Sequence, residues 1–122
     1  MHQITTREQV DALFEAELVV LYKHSSRCPV SSEALREVRR FQEQGGQVDL
    51  FFLDVIADRP VSQYVAARSG VIHHSPQVLV LRRGVCTWHA SHHRITSNEL
   101  ARQAGPGGEQ YRSPHSSGDR TA

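Results

Sequence analysis

The segment Cys28-Pro29-Val30-Ser31 has the spacing of a Cys-x-x-Cys redox motif, with serine where the second cysteine would stand. A single thiol so placed can attack a disulfide and hold half of it as a mixed disulfide. The Ser31 hydroxyl can donate a hydrogen bond to the thiolate but cannot close an internal disulfide, so release needs an outside thiol. Cys28 follows the β-prone run Leu18-Val19-Val20-Leu21-Tyr22 and directly precedes Pro29, which places it at the N-cap of a helix. Free amide N–H groups and the positive end of the helix dipole favour a negative sulfur there by at most ~2 kcal/mol. Lys23, His24 and Arg27 lie close enough in sequence to add to this field. Thiolate is the nucleophile, so Cys28 reads as reactive. The competing reading, a small buried apolar cysteine, fits less well with a βα turn, where open α/β sheets place ligands.

Cys86 is the other cysteine, just beyond the Arg83-Gly84 turn. A strand that starts beside Cys28 and runs away for six residues puts that turn roughly 20 Å off. A disulfide needs Cα atoms within ~7 Å, so Cys86 is expected to be an inert sheet residue. Ser75-Pro76 precedes a strand with no room for a helix; a cis bond is expected there, with the Ser75 backbone free to pair with an extended substrate. His73-His74, His89, His92 and His93 flank that strand and the one that returns from it, and with His24 they form a partly cationic rim suited to an acidic thiol ligand. Their spacings match no zinc template, so no metal site is expected.

These residues need elements to hold them. Thr5 and Glu8 form a capping box for a helix carrying Val10, Leu13 and Phe14. Leu18–Tyr22 reads as a strand buried on both faces. Pro29 opens a helix with Val30, Ala34, Val38 and Phe41 on one side, stopped by Gly45-Gly46. Val48–Val55 is a second buried strand. Asp58 and Pro60 start a third helix that ends at Gly70. Val78–Leu81 and Val85–His89 flank the two-residue Arg83-Gly84 loop, the signature of a hairpin. Thr96 and Glu99 cap a last helix ending at Gly105. The order is a helix, then β-α-β-α-β-β-α: a parallel, right-handed β-α-β unit followed by an antiparallel hairpin. It implies a thioredoxin-like three-layer α/β/α sandwich around a central mixed sheet.

Composition agrees with one small domain. The 122 residues include 39% hydrophobic and 22% charged residues, and the formal charge is +1, too little for a field that would hold nucleic acid or an anionic membrane. The longest apolar run, Leu18 to Tyr22, is far below the ~20 residues a membrane span needs, and no apolar stretch follows the start as in a secretory signal. Two cysteines suit a reducing compartment, so a cytoplasmic protein is expected. The domain is expected over residues 1–104, with 105–122 a flexible Gly/Ser/Pro-rich tail.

Three segments resemble one family: Lys23-His24-Ser25-Ser26-Arg27-Cys28-Pro29-Val30-Ser31, then Ser75-Pro76-Gln77, then Trp88-His89-Ala90-Ser91-His92 with Ile95-Thr96. In order, over about residues 3–100, they are similar to the monothiol bacilliredoxins, thioredoxin-like proteins of the bacillithiol system. The resemblance implies that Cys28 attacks protein–bacillithiol mixed disulfides, takes the bacillithiol and frees the client thiol. A second bacillithiol, coupled to a bacillithiol disulfide reductase, then restores it. Cys28 and Ser31 are the expected catalytic residues; His24, Arg27, Pro29, Ser75, Pro76 and His92 are expected to bind substrate. No tightly bound cofactor is expected, with bacillithiol as co-substrate. His74 stands where the family pattern has an acidic residue and His93 where it has an aromatic one, and Cys86 is also a departure. The rival readings are an iron–sulfur or copper carrier with Cys28 as ligand, and a non-catalytic binding module that keeps the fold.

Overall fold

The computed structural model describes residues 1–44 and 47–105. Its elements run β1 (His2–Gln3), α1 (Arg7–Glu15), β2 (Leu18–His24), α2 (Val30–Glu43), β3 (Asp49–Asp54), α3 (Arg59–Ser69), β4 (Gln77–Arg82), β5 (Val85–Ser91), a 3-10 turn (His92–Arg94) and α4 (Ser97–Ala104). The sheet order is β1-β3-β2-β4-β5. β1 and β2 lie parallel to β3, whereas β4 is antiparallel to both β2 and β5. This is the expected thioredoxin-like mixed sheet with helices on both faces.

Alternation along the strands splits the core in two. Val20, Tyr22, Val78 and Val80 pack with Val38 and Phe41 of α2 and Leu100 of α4. Val19, Leu21, Leu79 and Leu81 pack with Val10, Leu13 and Phe14 of α1 and Val65 of α3. β2 and β4, covered on both sides, are therefore apolar almost end to end. The hairpin turn follows from its residues: Arg83 and Gly84 take φ of 49° and 82°, the paired left-handed conformation that matches strand twist.

Four expectations need correction. The first helix is capped one residue later, by Thr6 and Gln9: Thr6 Oγ1 accepts the Gln9 amide at 3.1 Å, and Gln9 Oε1 accepts the Thr5 and Thr6 amides at 2.7 and 3.1 Å. Adjacent threonines offer both registers, and only the docking of Val10, Leu13 and Phe14 selects one. Second, β1 is an additional two-residue strand, too short to show a period, held by its pairing with Phe51 and Phe52. Third, β2 runs on to His24 and β5 to Ser91, because sheet pairing continues past the apolar run. Fourth, α2 is capped by Pro29 at φ −59°, ψ −30°, with Cys28 one position further out. The Ser31 amide reaches the Cys28 carbonyl at 2.9 Å, so the opening turn is tight and the regular helix begins at Val30. The Gly45-Gly46 stop and the expected tail beyond Gly105 lie outside the described residues.

Candidate active site

Three chain segments meet at one end of the sheet. β2 delivers the loop that carries Cys28 into α2. β4 starts there, and its register with β2 (Lys23 opposite Gln77) sets Pro76 across from His24. β5 returns to the same end, where the His92 amide donates to the Pro76 carbonyl at 3.0 Å. The Ser75-Pro76 peptide is cis, as expected. His93 Nδ1 lies 3.1 Å from Glu33 Oε1 on the first turn of α2, and Glu37 Oε1 accepts the Ser97 amide at 2.9 Å. The far end of β5 is thereby tied to the helix that begins beside the sulfur.

Cys28 is half-buried and in no disulfide, and its amide donates to the Ser25 carbonyl at 3.2 Å. Arg27 and Pro29 are exposed beside it, Ser75 is half-buried, Pro76 is buried and His92 is exposed. Ser31 is buried, and its Oγ accepts the Ser25 amide at 3.2 Å. The hydroxyl thus pins the 25–28 loop, while its own proton is left to donate elsewhere.

Beneath the loop lies Tyr22, which sequence reasoning counted only as a strand residue. Its hydroxyl donates to the Ser31 carbonyl at 3.2 Å and stands 2.9 Å from His24 Nδ1. Burial pushes the Tyr22 phenol above its ordinary range; the Ser31 side-chain hydroxyl pulls the other way, and a negative Cys28 nearby adds to the rise. Burial also lowers the His24 pKa, partly offset by Asp54, with Arg39 adding to the fall. Its ring sits 5.3 Å from that of Phe52. Contrary to expectation, His24 is therefore a largely neutral, packed imidazole and does not add charge to the rim.

Lys23 does not join the field around the sulfur, contrary to expectation. Strand alternation turns it to the α1/α3 face, where it is fully buried, and Nζ donates to Gln77 Oε1 at 2.9 Å. Gln77 is equally buried, and its Nε2 donates to the Ile72 carbonyl at 3.0 Å. Lys23 thus orients the amide that holds the 72–76 segment from below. Burial lowers its pKa from 10.5 to about 8. The signal was in the sequence: this is the chain's one lysine, and it extends an apolar strand.

Cys86 lies on β5 opposite Leu81, which pairs with Val19. It is five residues of β2 below His24, roughly 17 Å at ~3.3 Å per residue, and beyond disulfide reach of Cys28. Its Sγ contacts the Trp88 carbonyl at 3.4 Å. Among the described residues no three His, Cys, Asp or Glu side chains gather as metal ligands. Nor is any described helix long and apolar enough to cross a membrane.

Comparison with known proteins matches residues 2–100 to the family model "Monothiol bacilliredoxin BrxC". The chain belongs to the monothiol bacilliredoxin family. Among solved structures it is similar to a protein described as a candidate oxidoreductase with a thioredoxin fold, at 28% identity and TM-score 0.77, covering 83% of this chain and 90% of that one. Oxidised thioredoxin from Plasmodium falciparum matches at 14% identity and TM-score 0.65, over 93% and 99% of the two chains. Thioredoxin f2 from Chlamydomonas reinhardtii matches at 14% and 0.67, over 87% and 97%. These two bear on the fold alone. As a bacilliredoxin-family member with this fold, the chain is a thiol-redox protein with two cysteines.

Proposed function

We propose that this bacilliredoxin-family chain is a one-cysteine thiol–disulfide oxidoreductase that removes bacillithiol from protein mixed disulfides in the cytoplasm. The Cys28 thiolate attacks the bacillithiol sulfur of the client's mixed disulfide. That S–S bond breaks as the Cys28–bacillithiol bond forms, and the client leaves as thiolate. A second bacillithiol thiolate then attacks the bacillithiol sulfur on Cys28, forming bacillithiol disulfide and returning Cys28 to thiolate. The helix opening and Ser31 stabilise the sulfur's charge, while His24, Arg27, Pro29, Ser75, Pro76 and His92 border the substrate. A bacillithiol disulfide reductase completes the cycle.

The observation that carries this reading is a partly exposed Cys28 at the start of α2, at the sheet end shared with Pro76, with Cys86 out of reach. It explains why release must come from an external thiol. Mass spectrometry after mixing with oxidised bacillithiol, and separately with oxidised glutathione, tests it. One adduct on Cys28 is expected, lost in Cys28→Ser and kept in Cys86→Ser. Faster reaction with glutathione would remove the bacillithiol assignment, and an adduct confined to Cys86 would overturn the whole reading.

A further inference from the structure

The segment that leads into Pro76 is held mainly by polar contacts. Residues 71–74 form neither helix nor strand. Val71 packs against the α1/α3 core, but Ile72 is 77% exposed, and His73 and His74 are exposed after it. Beyond Val71, burial of apolar surface therefore does not fix the chain. On the α3 side, Ser62 Oγ lies 3.2 Å from His73 Nδ1. From within the sheet, Gln77 Nε2 donates to the Ile72 carbonyl at 3.0 Å, and Lys23 Nζ donates to Gln77 Oε1 at 2.9 Å. Lys23 and Gln77 are paired across β2 and β4, and both are fully buried. Among the described residues no carboxylate is bonded to Lys23. A buried ammonium without a counter-charge is costly. Packing does not account for it, since an aliphatic side chain would fill the same place at less cost.

We propose that Lys23 is a positioning residue of the exchange site: through Gln77 it fixes the Ile72 carbonyl, and with it the level at which Ser75 offers its backbone to an extended client segment. The inference rests on the dethiolation reading above and adds how a client is seated there. The chemistry explains the residue type. A primary amide can turn end for end, exchanging its oxygen and its NH2. An ammonium has three donors and no acceptor, so only the amide oxygen fits beside it and the NH2 points at Ile72. A serine, threonine or asparagine in the place of Lys23 could bond either end and would leave the orientation open. With the amide reversed, its oxygen would face the Ile72 carbonyl, two acceptors with no proton between them. Ile72 and Gln77 bracket Ser75-Pro76, so losing the bond between them frees the docking edge.

The test compares Lys23→Met and Gln77→Glu with the parent, all in a Cys86→Ser background, on two substrates. One is a single-cysteine peptide carrying a 2-mercaptoethanol adduct. The other is bis(2-hydroxyethyl) disulfide, which has no peptide to dock. Gln77→Glu keeps an oxygen for Lys23 but loses the donor to Ile72. Adduct formation on Cys28, followed by mass spectrometry over a range of peptide concentrations, gives a limiting rate and a half-saturating concentration. Both variants should raise that concentration about fivefold, the worth of one hydrogen bond, with the limiting rate held within about twofold. Attack on the small disulfide should proceed at the parent's rate, and urea unfolding at pH 7 should find both variants no less stable than the parent. Variants that slow both substrates alike would show general loosening and overturn the proposal. An unchanged half-saturating concentration would overturn it too, leaving dethiolation intact. A parent that takes the adduct from neither substrate would sink the dethiolation reading, and the positioning role with it.

Discussion

Replacing Lys23 with methionine should change the protein's stability in opposite directions at neutral and at alkaline pH. The lysine is fully buried and its amine pKa falls from 10.5 to about 8. At ~1.36 kcal/mol per tenfold change in proton affinity, the buried ammonium costs about 3 kcal/mol wherever both states are protonated, that is below pH ~8. Between pH 8 and 10.5 the folded amine is neutral while the unfolded one still binds a proton, so the cost shrinks as pH rises. Above 10.5 it is gone. Methionine removes this cost at every pH but strands Gln77 Oε1, a loss of ~1–3 kcal/mol. At pH 7 the variant should therefore equal or exceed the parent by up to ~2 kcal/mol. Near pH 10.5 it should be weaker by ~1–3 kcal/mol. Urea unfolding of both proteins at pH 7, 8, 9 and 10, in a Cys28→Ser, Cys86→Ser background, measures the difference. Groups that do not feel Lys23 titrate alike in the pair and cancel; His73, whose pKa Lys23 also lowers, titrates mainly below this range. Their stability difference should move by about 2 kcal/mol across that range. A difference flat with pH would refute the buried-ammonium argument.

Two further substitutions probe the scaffold. Tyr22→Phe removes the hydroxyl shared by the Ser31 carbonyl and His24 Nδ1; a loss of ~1–2 kcal/mol in urea unfolding is expected, with slower adduct formation on Cys28 as the loop loosens. Unchanged stability and rate would show that this contact is idle. Gly84→Ala forces a side chain onto φ of +82° and brings its Cβ within 2.8 Å of the Phe14 carbonyl oxygen. It should cost ~1–3 kcal/mol and lower the melting temperature without altering thiol exchange.

Much of this architecture could be read directly from the chain. Short, continuous, β-prone apolar runs marked the central strands, and Arg83-Gly84 marked the hairpin. The order of elements left little choice but a β-α-β unit followed by an antiparallel pair. The position of Cys28 and Ser31 was legible because a proline after a β-prone run marks a strand-to-helix turn. The two-residue β1 was not legible, since its only support comes from a strand distant in sequence. The Thr6 cap was ambiguous between neighbouring threonines until core packing chose the register.

The side-chain partnerships around the thiol were settled by the tertiary structure. Sequence proximity suggested that Lys23, His24 and Arg27 act together. Yet adjacent residues of a strand point to opposite faces, so Lys23 ends against Gln77 and His24 against Tyr22. The His74–His92 ring contact joins residues from either side of a hairpin. The chain itself determined local conformation and the place of the proposed nucleophile, because both depend on short-range sterics. Which polar groups meet beneath and beside that nucleophile depended on strand register, which only the assembled sheet defines.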